Sequence, residues 1–133
     1  MKKVIKISDL KGLKITDDIR DLLEVINRKG DICGRYFSSW WFDMYYHPKG
    51  EVLAMDSIIF TLVTNYAKAN GVWYNNNTEC WLKVSEVAGF IAPILNVWSG
   101  TVIKWMRGMY YRGYKLDINT ACGLDSIHIK INA

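Results

Sequence analysis

Residues 99–113 have the sequence SGTVIKWMRGMYYRG. Ser99 is suited to begin a helix, and Gly113 is suited to end one because glycine tolerates the left-handed backbone that follows many helices. At helical spacing, one side of this helix is predicted to carry the apolar residues Val102, Ile103, Met106, Met109 and Tyr110. The opposite side is predicted to carry Gly100, Lys104, Arg107, Gly108 and Tyr111. We therefore expect a helix that packs on a core and presents cations, small residues and one aromatic ring to solvent.

Basic charge is concentrated in two segments of the chain, although the net charge is only +4. Residues 1–14 carry +4, residues 15–86 carry −3, residues 87–116 carry +4 and residues 117–133 carry −1. No acidic residue lies between Glu86 and Asp117, a stretch that contains Lys104, Arg107, Arg112 and Lys115. A helix face of this kind predicts contact with a polyanion; a solvated basic surface without a partner is the alternative.

Length and composition predict that residues 1–133 form a single domain, because half of the residues are hydrophobic and the chain is too short for two independent cores. We divide it into residues 1–55, with a strand, a helix and an aromatic segment, and residues 56–132. No apolar run approaches the roughly 20 residues that cross a bilayer. The N-terminus interrupts its apolar residues with lysines, unlike a signal peptide. These features predict a cytoplasmic protein without a membrane segment.

The cysteines and histidines do not have the spacing of a known reactive site. Cys33, Cys80 and Cys122 are far apart, unlike a zinc site or a disulfide framework, so buried thiols are expected. His47 and His128 lack the companions of a metalloprotease motif. There is also no glycine-rich phosphate loop and no nucleophile elbow. We therefore expect no metal ion, no cofactor and no catalytic activity.

Two helices are predicted before residue 72. Alternation of apolar and polar residues at 4–8 indicates a short strand. Thr16 is suited to cap the first helix, which is predicted to end at Gly30. The second helix is predicted to begin at Asp56, with Asp56 or Ser57 as its cap, and to end at Asn70.

The pattern after residue 71 changes to strands, two helices and a hairpin. Residues 72–74 and 80–84 predict short strands around the turn-rich residues 75–78. Ser85 is suited to cap a helix that Pro93 should end or kink, which leaves an apolar connector before Ser99. Residues 114–119 and 126–132 alternate and predict a C-terminal β-hairpin.

Aromatic residues are unusually dense in residues 36–46. The segment contains Tyr36, Phe37, Trp40, Trp41, Phe42, Tyr45 and Tyr46. We favour a place for these rings in the core, since aromatic side chains dominate core burial. An exposed partner interface or a platform for base stacking is the alternative, although only Arg35 and Lys49 supply flanking cations.

The order of elements from residue 56 to residue 132 resembles the winged helix-turn-helix domains of bacterial and phage regulators and replication initiators. The resemblance rests on a helix that ends at Asn70, helices opened by Ser85 and Ser99, the helix end at residues 111–114, and the closing hairpin. It implies an α+β fold with three to five helices, a short N-terminal strand and a C-terminal hairpin that forms the wing. The chain departs from the family pattern in a longer, more apolar connector at residues 92–98 and in only two cations on the outer side of the second helix.

Two functions follow as hypotheses. The first is non-catalytic binding of duplex DNA by a regulator or replication accessory factor, with Lys104 and Arg107 in the groove, Arg112 and Lys115 on the backbone, and Tyr111 on a phosphate. The second is a protein-interaction module, such as a small phage-type inhibitor of a host enzyme or nucleoprotein complex. Its predicted anchors are Trp40, Trp41, Trp98 and Trp105. A homodimer is compatible with both hypotheses.

Overall fold

Helices and a four-stranded antiparallel sheet make up the part of the chain that the structure describes. The computed structural model describes residues 8, 10, 12, 14–17, 19–21, 23–24, 50–95 and 97–131, without the side chains of residues 51 and 52. The elements are α1 (Gly50–Asn70), β1 (Val72–Tyr74), β2 (Glu79–Leu82), α2 (Val84–Leu95), α3 (Ser99–Tyr111), β3 (Leu116–Asn119) and β4 (Ser126–Lys130). The predicted α+β class is confirmed.

An additional helical segment lies within residues 17–24. Thr16 begins it as predicted, because the Ile19 backbone N–H donates to Thr16 Oγ1 at 3.3 Å. Ile19 and Leu23 are buried and belong to the same core as the later helices. The predicted strand at residues 4–8 lies outside the described residues except for Ser8, which is in a 3₁₀ turn. The aromatic segment at residues 36–46 lies outside them entirely.

The sheet has the strand order β1-β2-β4-β3, and every neighbouring pair is antiparallel. The predicted strand pair and C-terminal hairpin are both present, and the central pairing of β2 with β4 joins them into one sheet. Alternation along β4 buries Ile127 and Ile129 against the helices and turns His128 to the other face. The sheet therefore has one face on the core and one face without a helical cover among the described elements.

The helix α1 begins at Gly50, so the prediction of a start at Asp56 is wrong. Asp56 lies inside the helix and is fully buried, and Ser57 Oγ donates to the Leu53 carbonyl at 3.1 Å instead of capping a helix end. An acidic residue before an apolar run is typical of a helix cap in the sequence, but Asp56 binds Arg112 near the end of α3 instead.

The helix α2 extends from Val84 to Leu95, past Pro93. Pro93 lies in the last turn, so its missing N–H costs a single intrahelical hydrogen bond and the helix continues for two more residues. The prediction that Ile94 and Leu95 belong to an apolar connector after Pro93 is therefore wrong. Only residues 96–98 separate α2 from α3, and the chain turns by 107° between the two helices.

The start of α2 is held by a carboxylate from the hairpin loop between β3 and β4. The Ser85 backbone N–H donates to Asp125 Oδ1 at 2.9 Å, and Ser85 Oγ donates to Asp125 Oδ2. These two hydrogen bonds favour the charged form and lower the pKa of the Asp125 carboxyl. Asp125 thus does the capping that the sequence assigned to Ser85, and it ties the hairpin loop to α2.

The capping contact of Asp125 predicts a defined dependence of stability on pH. Because the folded-state pKa of Asp125 lies below its unfolded value of about 3.9, the contribution is complete above that value and is lost as the pH falls through the folded-state pKa. We expect Asp125→Asn to have a lower thermal midpoint than the unchanged protein at pH 6, and the difference between the two to shrink toward pH 3. Circular dichroism melts across this range measure it. A constant difference at every pH would contradict the assignment.

The end of α3 sets the direction of the chain into the sheet. Gly113 has a φ of 95°, the Tyr114 N–H donates to the Met109 carbonyl at 3.1 Å, and the Gly113 N–H donates to the Tyr110 carbonyl at 3.2 Å. This pair of hydrogen bonds is a Schellman motif, and the helix end predicted at residues 111–114 is confirmed. It brings β3 back alongside the helix that precedes it.

Candidate nucleic-acid interface

Four long side chains project from the outer side of α3. Lys104 and Arg107 are exposed, and so are Tyr110, at 52%, and Tyr111, at 66%. Lys104 lies three residues before Arg107, and Arg107 lies three and four residues before the two tyrosines, so the four side chains form one continuous surface along the helix. Lys104, Arg107 and Tyr111 therefore lie on the side predicted for them, whereas the prediction that Tyr110 faces the core is wrong.

This surface forms one wall of a groove whose other wall is the edge strand β3. The groove has a volume of about 470 Å³ and is lined by Lys104, Arg107, Tyr110, Tyr111, Leu116, Asp117 and Ile118. The helix contributes the cations and the rings, and the strand contributes backbone, two aliphatic residues and one carboxylate. The groove can therefore accept an anion on its helical side.

One cation of the groove is already held by a neutral group of the hairpin. The Arg107 guanidinium donates to Thr120 Oγ1, just beyond the end of β3. A neutral hydroxyl leaves the positive charge uncompensated, so Arg107 remains able to attract an anion. Lys115 is also exposed and lies between α3 and β3, where its carbonyl accepts the Lys130 N–H at 3.1 Å.

Arg112 does not belong to this surface, and the prediction that it contacts a DNA backbone is corrected. Its Nε donates to Asp56 Oδ2 at 2.7 Å and its Nη2 to Asp56 Oδ1 at 2.6 Å, a bidentate pair. The Arg112 side chain is 5% exposed and the Asp56 side chain is fully buried. A guanidinium held in this way has its charge satisfied inside the molecule.

Trp105 completes the buried pair and is likewise not a surface residue. Its Nε1–H donates to Asp56 Oδ1 at 2.7 Å, its ring lies 5.5 Å from the Arg112 guanidinium carbon, and it is 3% exposed. The prediction that Trp105 anchors a protein partner is therefore wrong. Gly108 is buried below the guanidinium, because a Cβ there would lie 2.9 Å from Arg112 Nη1. We call Asp56, Trp105 and Arg112 the buried polar cluster.

Tyr114 borders the buried polar cluster. Its ring centroid lies 5.3 Å from that of Phe60 on α1. Burial, and then the negative charge of Asp56, raise the pKa of the Tyr114 hydroxyl. Tyr114 thus continues the contact between α1 and the end of α3.

The buried ion pair predicts a strong and non-additive effect of substitution. Asp56→Asn leaves the Arg112 guanidinium buried without a countercharge, so the free energy of unfolding should fall by about 3 kcal/mol or more. Adding Arg112→Met removes the uncompensated charge and should recover part of the loss. Guanidinium chloride unfolding measures both.

Arg107→Met is the matched control for this series, because it removes an exposed guanidinium bound to a hydroxyl. It should change the free energy of unfolding by about 0.5 kcal/mol or less. A loss below about 1 kcal/mol in Asp56→Asn would mean that the ion pair does not carry the contact between α1 and α3.

The remaining predicted tryptophan anchors have different positions. Trp98 is 82% exposed and precedes the first turn of α3, so its ring is accessible to a partner. Trp40 and Trp41 lie outside the described residues. Their assignment to a partner interface stays a prediction.

A second polar group lies on the outer face of the sheet. His128 Nε2 lies 3.0 Å from Glu79 Oε1, and the rings of His128 and Trp81 are 4.5 Å apart. A hydrogen bond from Asn75, followed by the charge of His128, lowers the pKa of the Glu79 carboxyl. These side chains satisfy one another, and the part of the chain that the structure describes has no group of three or more residues suited to hold a metal ion.

The cysteines are only partly as expected. Cys80 is buried, and burial raises the pKa of its thiol, but Cys122 is exposed in the loop between β3 and β4, so its predicted burial is wrong. Cys33 lies outside the described residues.

Sequence reasoning missed the strand side of the groove. Leu116 and Ile118 were predicted to be strand residues but not to be neighbours of Lys104. The position of an edge strand beside a helix depends on how all the strands of the sheet pair, and local sequence does not reveal it. The turn at Gly113 was the one local signal that could have placed them together, since it folds the chain back along α3.

Comparison with protein-family models, with curated proteins and with solved structures finds no significant match for this chain. Among residues 50–95 and 97–131, and the few described before them, no single helix is long and apolar enough to cross a membrane. The helices α2 and α3 meet that requirement only when taken together, across their 107° turn.

Proposed function

We propose that this protein is a non-catalytic DNA-binding protein of the winged-helix type, acting as a regulator or replication accessory factor. The single observation that carries the proposal is the outer side of α3, where Lys104, Arg107 and Tyr111 are exposed together beside a groove. Cations on an exposed helix attract phosphates, and a tyrosine hydroxyl can donate to one.

The arrangement of the helices supports this proposal. The helices α2 and α3 follow one another across residues 96–98 with a turn of 107°, within the range of about 90–120° typical of a helix-turn-helix. The short connector removes one departure from the family pattern that the sequence suggested. In a helix-turn-helix, the second helix enters the major groove, and α3 is the second helix of this pair.

The sheet supports the same proposal. Leaving β1 aside, one helix, one strand, two helices and two strands follow in order, with β2 paired to β4 and β4 to β3. This is the order expected of a winged helix, to which β1 adds an outer strand. The hairpin loop is tied to α2 by Asp125 and offers no lysine or arginine, so the helix and not the wing should supply the phosphate contacts.

The charge distribution fits a modest electrostatic contribution. Lys104, Arg107 and Lys115 are exposed, while Arg112 is neutralised by Asp56. Asp117 lies at the strand side of the groove and would repel a phosphate there. With three exposed cations instead of four, we expect weaker binding of DNA and a smaller slope of log affinity against log salt.

The test is a fluorescence anisotropy titration of a labelled duplex of about 20 base pairs at about 50 mM and about 150 mM salt. Binding should weaken as salt rises. Lys104→Ala and Arg107→Ala should each weaken it and lower the slope of log affinity against log salt by about 1. Lys68→Ala is the matched control, because it removes an exposed cation in the last turn of α1.

Two results would reject DNA binding by α3. One is the absence of a complex at the lower salt concentration. The other is an equal loss in Lys68→Ala and Lys104→Ala, which would mean that only net charge matters and not its position.

A further inference from the structure

The outer face of the sheet, which points away from the helices, carries large side chains in contact with solvent. On β1 and β2 the exposed residues alternate with Trp73 and Cys80, which point to the core side. Val72 is 82% exposed, Trp81 54% and Tyr74 38%. Side chains of this size have areas of about 150–250 Å², so the three expose roughly 300 Å². An exposed apolar patch of that extent is typical of an interaction site.

Two cross-strand pairs occupy the middle of this face. The strands β2 and β4 are the central strands of the sheet, and their register places Glu79 opposite Lys130 and Trp81 opposite His128. The first pair joins an acid and a base. The second joins two aromatic rings whose centroids are 4.5 Å apart. Each residue at the centre of the face therefore lies beside its own chemical complement.

The Glu79 carboxylate is held in place by neighbours on the same face. Asn75 Nδ2 donates to Glu79 Oε2, and His128 Nε2 lies 3.0 Å from Glu79 Oε1. These contacts leave further acceptor capacity on both oxygens, because an ionised carboxylate has about four lone-pair sites. Lys130 is exposed on the other strand of the pair. The centre of the face thus offers an oriented anion and a long, accessible cation.

The charges of the four strands do not favour a ligand of one sign. On the outer face, Glu79 and Asp117 stand against Lys130, with His128 between β2 and β3 in the register. A polyanion would meet two carboxylates, and a polycation would meet the lysine. A surface with the same mixture of charges can match both signs at once, and a second copy of this face has that mixture.

The register determines which symmetry brings the complements together. A two-fold axis that runs parallel to the strands, between β2 and β4, places β2 of one copy over β4 of the other, about 10 Å away. Residues paired within one sheet lie at the same height along this axis. Glu79 then faces Lys130 of the second copy, and Trp81 faces its His128. A two-fold axis across the strands would instead set Glu79 against Trp81 and leave the charges unmatched.

We propose that the outer face of the sheet is a dimer interface, in which two copies of this chain pack sheet on sheet about a two-fold axis parallel to the strands. Two Glu79–Lys130 ion pairs and the rings of Trp81 and His128 form its centre. Val72 lies at the margin, opposite Asp117 of the second copy, so the centre supplies most of the binding. The sheet has four short strands, which suits a small interface, below about 1,200 Å² in total, and a reversible dimer.

This interface goes beyond DNA binding and does not depend on it. The helices pack on the inner face of the sheet, so the dimer leaves the outer side of α3 accessible in each copy. Lys104 and Arg107 take no part in it. Self-association can therefore be measured without DNA, and its failure would leave the proposed function untouched.

The test is sedimentation equilibrium of the full-length protein between about 5 μM and about 1 mM at about 50 mM salt. The mass should rise from that of a monomer to that of a dimer. Glu79→Lys and Lys130→Glu each place like charges opposite one another and should weaken association about tenfold or more. The double swap should restore it. Glu86→Lys is the matched control, because it reverses an exposed charge on α2 and should have no effect.

A mixture of the two single variants separates the interface from damage to the fold. The Glu79→Lys variant should pair with the Lys130→Glu variant at least about tenfold more tightly than either pairs with itself, since opposite charges then face one another at both contacts. Loss of the Asn75 and His128 contacts inside the first variant persists in the mixture and cannot cause this recovery. Trp81→Ala should weaken association about tenfold in every background.

Three outcomes would overturn the proposal. A monomer mass at about 1 mM would mean that the face does not bind a second copy. A dimer that both single swaps leave unchanged would use another surface. A mixture that associates no better than its components would remove the symmetry argument. If Glu79→Lys fails to fold, Lys130→Glu and Trp81→Ala still decide, because either one at unchanged affinity contradicts the interface.

Discussion

A buried ion pair joins the middle of α1 to the end of α3. Asp56 and Arg112 are 56 residues apart in sequence and form a bidentate contact below the surface, with the Trp105 indole as a third partner. Neither charge can be removed alone without leaving the other uncompensated, so the pair holds the C-terminal end of α3 against α1. The turn at Gly113 follows directly, and with it the place of β3 beside the helix.

The groove depends on this constraint in two ways. First, Arg112 is drawn inward over Gly108, which leaves Lys104 and Arg107 as the cations of the outer side of α3. Second, the chain returns so closely that β3 forms the other wall of the groove beside those cations.

The proposed binding of duplex DNA sets its own geometric requirement. Phosphates of duplex DNA need cations spaced along an exposed helix, and the helix must be free to enter a groove. Asp117 at the strand side disfavours a phosphate close to β3.

Local signals in the sequence predicted most of the elements correctly. Thr16, Gly113 and the asparagine-rich turn behave as their types suggest; Asn75, Asn76 and Asn77 all have positive φ, which asparagine tolerates. The hairpin and the outward position of Lys104 and Arg107 followed from periodicity. These features depend on residues close to one another in the chain.

Several of the errors share one physical cause, which is a partner distant in sequence. Asp56 was assigned as a helix cap because its partner Arg112 cannot be recognised from spacing. Ser85 was assigned as a cap because Asp125, 40 residues later, could not be foreseen as the acceptor. Gly108 and Tyr110 lie at the two borders between the buried and the exposed side of α3. The helical rotation of about 100° per residue does not decide whether a residue at such a border is buried. The guanidinium of Arg112 covers Gly108 and leaves Tyr110 exposed.

The exchange of the Arg112 side-chain Nε–H with solvent tests the central claim most directly. In ¹⁵N-resolved spectra of the folded protein, a guanidinium bound to buried Asp56 should have an Nε–H that exchanges as slowly as the Trp105 indole N–H, because both donate to the same carboxylate. An Arg112 Nε–H that exchanges as fast as that of a solvent-exposed arginine would contradict the account.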